Sequence, residues 1–374
     1  MERTTTIRST SICCVRWTCR TTSSQRSPPE MPSDWCHGLE ERSQMSINVV
    51  VVGYGSAFGM GHRHSEEVVK AEGLKLVGVC EPDDTRRAVA AATEGVPTYE
   101  HIDEVCDDDD VDMVCLIVPH HLHAPLAIQA MEAGKHVLTE KPMCVTTEEA
   151  DEMIAASKAN DVMLTVYHNR RWDADWVTVR TLIDEGLLGE VFLVECAVGG
   201  ARPLSGWRRD EAAGGGMLRD WGAHVLDQMC LIAGTPAKRV YANFEHRMWT
   251  DIMDVPTHTQ LMIEFESGLV GEATFSNNMW APKPRWLVQG EEGGLLKQSG
   301  GGGTVTWHHE VAGQQSTTEV PCVEPDRFEL YQNVSAHLND GADLIVKPEQ
   351  TRRYVAIYEA AYLSAESGEA VEPK

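Results

Sequence analysis

From Ile47 onward the chain is written in short apolar runs separated by glycine turns and polar, helix-forming stretches. Ile47 to Val52 is a continuous β-branched run, the pattern of a strand buried on both faces, and Gly53 to Gly61 follows it as a turn. Leu76 to Cys80 gives the next strand, so the chain opens as a βαβ unit. Val111 to Val118, His136 to Thr139 and Val162 to Tyr167 are further strands, and Ala124 to Ala133 is a helix closed by Gly134. Thr146 to Ala159 is expected to be a helix with Thr147 as its N-cap and Glu148 and Glu149 at its positive end. Strands and helices alternating in this way predict an α/β unit with a parallel sheet.

The pattern changes after Tyr167. Helices are predicted at Ala174 to Glu185 and Met217 to Ile232, with a strand at Val191 to Val198 between them. β-type segments then dominate, at Val240 to Phe244, Thr257 to Phe265, Val270 to Ser276, Trp286 to Gly290 and Thr304 to Trp307. Gly300 to Gly303 reads as a hairpin loop, and helices at Glu329 to Leu338 and Gln350 to Ser367 close the chain. This succession predicts an α+β domain built on a large, mostly antiparallel open sheet. Residues 1–44 show neither period and are rich in Ser, Thr and Arg. They are expected to be a disordered extension or the product of a misplaced start, because Met45 stands just before the first strand.

With 374 residues and 42% apolar content the chain can bury two cores. No apolar run approaches the roughly 20 residues a membrane-crossing helix needs, so no membrane role is expected. A net charge of -25 argues against nucleic acid as a partner. Eleven cysteines are present; those beyond residue 44 are scattered and lack zinc-ligand spacing, as expected of small buried hydrophobes in a reducing, cytoplasmic compartment.

The turn Gly53-Tyr54-Gly55-Ser56-Ala57-Phe58-Gly59 follows a strand and opens a helix, where backbone N–H groups and the helix dipole favour a pyrophosphate. Its third glycine comes one residue later than in the usual G-x-G-x-x-G spacing. Glu81, at the end of the second strand, is placed to accept ribose hydroxyls and repel a 2'-phosphate, which favours NAD over NADP. Arg86 and Arg87 are expected on a solvated helix face rather than on that phosphate.

Two further segments carry candidate chemistry, Gly134-Lys135-His136-Val137-Leu138-Thr139-Glu140-Lys141-Pro142 and Gly214-Gly215-Gly216-Met217-Leu218-Arg219-Asp220-Trp221-Gly222-Ala223-His224. A lysine at a strand end can stabilise charge developing on oxygen. Asp220 and His224, four apart, would share one helix face, and histidine titrates near neutrality as a general base should. Asp227 is expected to cap or orient, and Asp220, His224 and Asp227 lack the partners for a metal site. His120, His121, His308 and His309 are expected to do no chemistry, and Arg171 is suited to tie the domains together through a carboxylate.

Taken with the glycine turn, these segments resemble the glucose-fructose oxidoreductase and inositol dehydrogenase family, from about Ile47 to the C-terminus. The resemblance implies a Rossmann NAD-binding domain over 45–167 and a substrate-binding and dimerisation domain over 168–374. It assigns Lys141 to the reacting oxygen, His224 to its proton, and Asp220 to the substrate or to orienting the imidazole. Gly53, Gly55, Ala57, Phe58, Glu81, Pro119, His123, Glu140, Lys141 and Pro142 would hold the cofactor, and Asn169, Arg170 and Trp207 would join Asp220 and His224 around the substrate. The implied activity is NAD-dependent hydride transfer at a hydroxyl-bearing carbon of a sugar or polyol, in a homo-oligomer, dimer or tetramer. Two alternatives stay open: an enzyme whose tightly held NAD is reduced and reoxidised within one turnover, and a non-catalytic sensor.

Overall fold

Six strands form the first sheet: β1 (Ile47–Val52), β2 (Leu74–Cys80), β3 (Thr98–Tyr99), β4 (Met113–Leu116), β5 (His136–Thr139) and β6 (Leu164–Val166). These come from a computed structural model that describes residues 46–55, 59–326 and 328–374; the extension expected over 1–44 lies outside them. The strand order is β3-β2-β1-β4-β5-β6, with every pair parallel. Val49 to Val51 of β1 and all of β4 are fully buried, which is why their apolar runs are continuous rather than alternating. Helices α1 (Met60–Lys70), α2 (Asp84–Glu94), α3 (Ile102–Cys106), α4 (His123–Glu132) and α5 (Thr147–Ala159) make the crossovers. The chain runs outward from β1 to β3, then jumps back to β4, so a crevice opens at the carboxyl ends of β1 and β4.

The second sheet has eight strands: β7 (Val191–Gly199), β8 (Ala237–Glu245), β9 (His258–Phe265), β10 (Val270–Ser276), β11 (Trp286–Gly290), β12 (Gly293–Lys297), β13 (Thr304–Val311) and β14 (Gln314–Pro321). Their order is β14-β13-β12-β11-β7-β10-β9-β8, antiparallel throughout except for β7 beside β10. Helices α6 (Ala174–Asp184), α7 (Met217–Asp220), α8 (Gly222–Ala233), α9 (Glu329–Asp340) and α10 (Pro348–Ser367) complete the chain. On β8, Val240 and Ala242 are buried while Tyr241 between them is exposed, so this edge of the sheet has one covered face and one open one.

Several elements escaped the sequence pattern for physical reasons. Edge strand β14 carries mostly polar residues because solvent meets it, and β12 begins with two glycines. Helix α2, the solvated helix expected around Arg86 and Arg87, buries only Ala90, so its bounds had no apolar pattern to mark them. The N-cap of α5 is Thr146, not Thr147: its hydroxyl accepts the Glu149 N–H (3.2 Å) and the Glu149 carboxylate accepts the Thr146 N–H (3.1 Å). Thr147 instead donates its hydroxyl to Glu359 on α10 (2.5 Å). The single helix expected over Met217 to Ile232 is broken at Trp221 into α7 and α8.

The last two helices return to the first sheet. Tyr354 of α10 accepts the Met143 N–H through its hydroxyl at 2.7 Å, and Ser335 of α9 donates to the Glu72 carbonyl. The described residues accordingly cluster as one compact unit.

Candidate active site

A cleft of about 570 Å³ lies over the carboxyl edge of the first sheet. Gly53, Gly55, Glu81, Ile117 to His120, Glu140 and Lys141 line one side, and Asn169, Arg170, Trp207, Arg208, Asp220, Trp221 and His224 line the other. Gly53 has φ +100°, and a Cβ there would stand 2.1 Å from the Ile117 carbonyl oxygen, so only glycine fits. At Gly55 an added Cβ meets nothing within 4 Å, leaving open space against the backbone that a dinucleotide phosphate can fill. Ala57 and Phe58 lie outside the described residues.

Glu81 is buried just past β2. One carboxylate oxygen accepts the Tyr54 N–H (2.8 Å), and the other accepts the Asp83 N–H (3.0 Å) and the Arg86 guanidinium (2.8 Å). Arg86 is therefore not simply a solvated helix residue: it pairs with the carboxylate expected to meet the adenosine ribose and lines the cleft. Arg87 also turns inward, donating to the Glu81 carbonyl (2.8 Å).

Glu140 and Lys141 leave β5 and line the cleft, with a cis peptide bond between Lys141 and Pro142. Glu140 faces His64 of α1 (3.1 Å) and accepts the Lys141 N–H (3.0 Å). Burial works to raise its pKa, but His64 and Lys141 outweigh burial and hold it below the usual carboxylate range. His123 is fully buried between the Pro142 carbonyl (2.6 Å) and the Val118 carbonyl (2.9 Å), joining the loops after β4 and β5 on either side of Pro119.

Lys141 Nζ donates to Asp220 Oδ1 at 2.5 Å, and Arg208 Nε donates to Asp220 Oδ2 at 3.1 Å. Burial opposes ionisation of Asp220, yet the two cations hold its pKa well below the usual range. Trp221, between α7 and α8, keeps right-handed helical dihedrals, so Asp220 and His224 stand one turn apart and both line the cleft. Of the two roles implied for Asp220, orienting the imidazole gains no hydrogen bond in this arrangement; the carboxylate turns to Lys141. His224 lines the same cleft as Lys141, and its pKa is driven well below the ordinary histidine value by burial first, then by Lys141, Arg170, His168 and Arg285. It is thus neutral at physiological pH, as a proton acceptor must be.

Arg170 stacks over Trp221, its guanidinium carbon 4.1 Å from the ring centroid, and pairs with Asp173 (2.7 Å). Trp207 meets His120 edge to face at 4.4 Å. His120, expected to be an ordinary loop residue, is buried, hydrogen-bonds Gly214 O (2.7 Å) and lines the cleft. Asp227 is neither a cap nor a ligand but the bidentate partner of Arg171, at 2.8 and 2.7 Å. His309 stacks on Trp307 on β13, and His308 is exposed there. Sequence reasoning missed His64 and Tyr331, whose contact (2.6 Å) spans 267 residues and leaves no local trace. Among the described residues no group of three His, Cys, Asp or Glu is arranged to hold a metal ion, and no helix is long and apolar enough to cross a membrane.

A doubly wound sheet with a cleft at its switch point, faced by a lysine, a buried carboxylate and a neutral histidine, defines a dinucleotide-binding oxidoreductase architecture. Residues 47–168 match the model of an oxidoreductase family with an NAD-binding Rossmann fold, and residues 176–296 match the GFO/IDH/MocA C-terminal domain. The chain belongs to this GFO/IDH/MocA family. It is 26% identical over 345 residues to scyllo-inositol 2-dehydrogenase (NADP(+)) of Bacillus subtilis (strain 168), covering 86% of this chain and 94% of that one. It is 29% identical over 233 residues to 1,5-anhydro-D-fructose reductase of Ensifer adhaerens, covering 61% and 69%. The solved structure of an NAD-binding protein from Listeria innocua superposes with a TM-score of 0.78 at 31% identity, covering 88% of this chain and 97% of that one.

Proposed function

We propose that the protein is an NAD-dependent dehydrogenase that interconverts a hydroxyl and a carbonyl on a sugar or polyol carbon. The observation that carries this is the opening of Lys141 and His224 onto one cleft that begins at the glycine turn. A bound nicotinamide dinucleotide, held by Gly53, Gly55, Glu81, Pro119 and the Glu140 to Pro142 segment, supplies the hydride acceptor or donor. Lys141 directs its ammonium at the substrate oxygen and stabilises negative charge there. His224 takes the hydroxyl proton as the carbonyl forms and returns it in the reverse direction. Asp220 holds the ammonium in place, while Asn169, Arg170 and Trp207 border the sugar.

Glu81 supports NAD. The observation favouring NADP is Arg86, a half-exposed cation 2.8 Å from that carboxylate, together with the NADP(+) in the name of the Bacillus relative. We further propose a homo-oligomer paired through the open face of the second sheet, where Tyr241 and Met262 are exposed; sedimentation as a monomer would reject it. The function itself is tested by mixing the protein with NAD or NADP and a panel of inositols, aldoses and anhydrosugars, and following absorbance of the reduced nicotinamide. Turnover of a sugar without net reduction would transfer the protein to the transient-oxidation class, and absence of dinucleotide binding in calorimetry would reject both.

A further inference from the structure

Behind His224, away from the cleft, sits a second imidazole that the proposed chemistry leaves unused. His168 is 1% exposed and follows β6. Its ring meets that of His224 edge to face, with centroids 6.0 Å apart and planes at 84°. Three of the four ring nitrogens of this pair, His224 Nδ1 and both of His168, are buried with no hydrogen-bond partner among the described residues. Gln228 Oε1, one turn beyond His224 on α8, is buried and unpartnered as well. Four such atoms on neighbouring side chains are far more than a packed core tolerates by accident, and ordered water is what ordinarily satisfies them. On the far side, His168 Nδ1 stands 3.8 Å from Asp227 Oδ2. Arg171 grips that carboxylate with two hydrogen bonds and keeps it charged.

The two rings sit among different charges. Burial depresses both. The largest charged influences on His224 are cationic or potentially so: Lys141 from the end of β5, Arg170 from the turn at 169–172, His168 itself, and Arg285 before β11. His168 has Asp227 and Glu140 in its favour against Arg171 and Lys141, and the uncharged Tyr354 ring from α10 packs on it at 5.1 Å. Burial lowers the His168 pKa to about 4 against the pull of Asp227, and lowers that of His224 well below the ordinary value with cations adding to the effect. The deeper ring, His168, is the one that faces a carboxylate, Asp227 Oδ2, at 3.8 Å.

We infer that His168 is a positioning residue that relays the substrate proton. His224 accepts the hydroxyl proton at Nε2 and releases the one on Nδ1, through a single water, to His168 Nε2; His168 then holds the proton as an imidazolium whose Nδ1–H faces the Asp227 carboxylate, until the reverse step or exchange returns it. One proton enters and one leaves His224, no electrons move in the relay, and the reverse reaction returns the proton by the same route. The relay rests on the dehydrogenase proposed above. It requires that at neutral pH both imidazoles be neutral with the proton on Nδ1.

Two experiments on the full-length protein test it. Nitrogen-15 NMR of labelled histidines, with His168 assigned through His168→Gln, reads the tautomers without any substrate. The expected spectrum places the proton of both rings on Nδ1; a His168 protonated on Nε2 overturns the relay. In kinetics, His168→Gln keeps a polar side chain that cannot titrate. Its kcat is expected to fall about 10- to 100-fold while KM for sugar and cofactor stays within about twofold, and the proton inventory in mixed H2O/D2O is expected to change from curved to linear. Unchanged kcat with an unchanged inventory overturns the relay. If His168→Gln does not fold, His168→Asn takes its place, and the parent spectrum still decides. A parent protein that turns over no sugar or polyol refutes the dehydrogenase, a failure distinguishable from that of the relay because the tautomers are read independently.

Discussion

Replacing Lys141 by Met tests the centre of the site, because one side chain is asked to do two separable things. Lys141 Nζ lies 2.5 Å from Asp220 Oδ1, with both side chains largely shielded from water. At an effective dielectric of about 20, unit charges at that distance attract by roughly 7 kcal/mol before desolvation is subtracted. Removing one partner of a buried pair costs about 3–5 kcal/mol, and here the loss is smaller because Arg208 still holds the other carboxylate oxygen at 3.1 Å. Lys141→Met is therefore expected to destabilise the fold by about 2 kcal/mol. A double-mutant cycle with Asp220→Asn, read by urea denaturation, should give a coupling of about 1–3 kcal/mol. Activity should respond more strongly. Loss of the charge that stabilises the reacting oxygen should lower kcat/KM by about 10²–10³, or about 3–4 kcal/mol. Additive stabilities within about 0.5 kcal/mol would refute the pair; a Lys141→Met enzyme of near-normal kcat/KM would refute the role.

Gly53→Ala places a methyl 2.1 Å from the Ile117 carbonyl oxygen at a φ of +100°, so it should destabilise by about 3 kcal/mol or more and abolish dinucleotide binding, measured by denaturation and calorimetry. Arg86→Ala should raise the NAD over NADP preference by about tenfold in kcat/KM, since it removes the cation available to a 2'-phosphate while Glu81 remains; an unchanged ratio would remove Arg86 from cofactor selection. Asp227→Ala strands the Arg171 guanidinium in the interior and should cost about 3–5 kcal/mol in a chemical denaturation series. Acid should also destabilise the protein through its buried histidines. His120, His123, His168 and His224 all have folded pKa values depressed by burial, so the unfolded chain binds protons that the folded one refuses. Their contribution is intact above about pH 6.5 and falls as pH drops through the folded values, by up to about 1.4 kcal/mol per pH unit for each ring. His168, with its folded pKa at about 4, accounts for roughly 3 kcal/mol of this; a flat stability profile between pH 6.5 and 4.5 would contradict it.

The apolar pattern alone determined the elements that are buried on both faces or strictly alternate. β1, β5, β10 and β11 begin and end where the pattern places them, because burial forces a continuous or period-two run that nothing else in the chain imitates. The glycine turn, Glu81 and the Glu140 to Pro142 segment were legible for a related reason: each needs a particular residue type at a strand end, and strand ends can be read. Residues whose meaning depends on a partner far along the chain were not legible. Spacing placed Asp220 one turn before His224, but its pairing with Lys141, 79 residues away, left no local trace. Arg86 read as a solvated residue because α2 has almost no apolar face, and only the fold of that segment sets it on Glu81. The meeting of His224, His168 and Asp227 draws on a loop after β6 and on helix α8, and no local period encodes it. Composition and spacing specify which face of an element is buried; which charged or polar groups then share that interior is settled by long-range packing, where the low dielectric makes each pairing decisive.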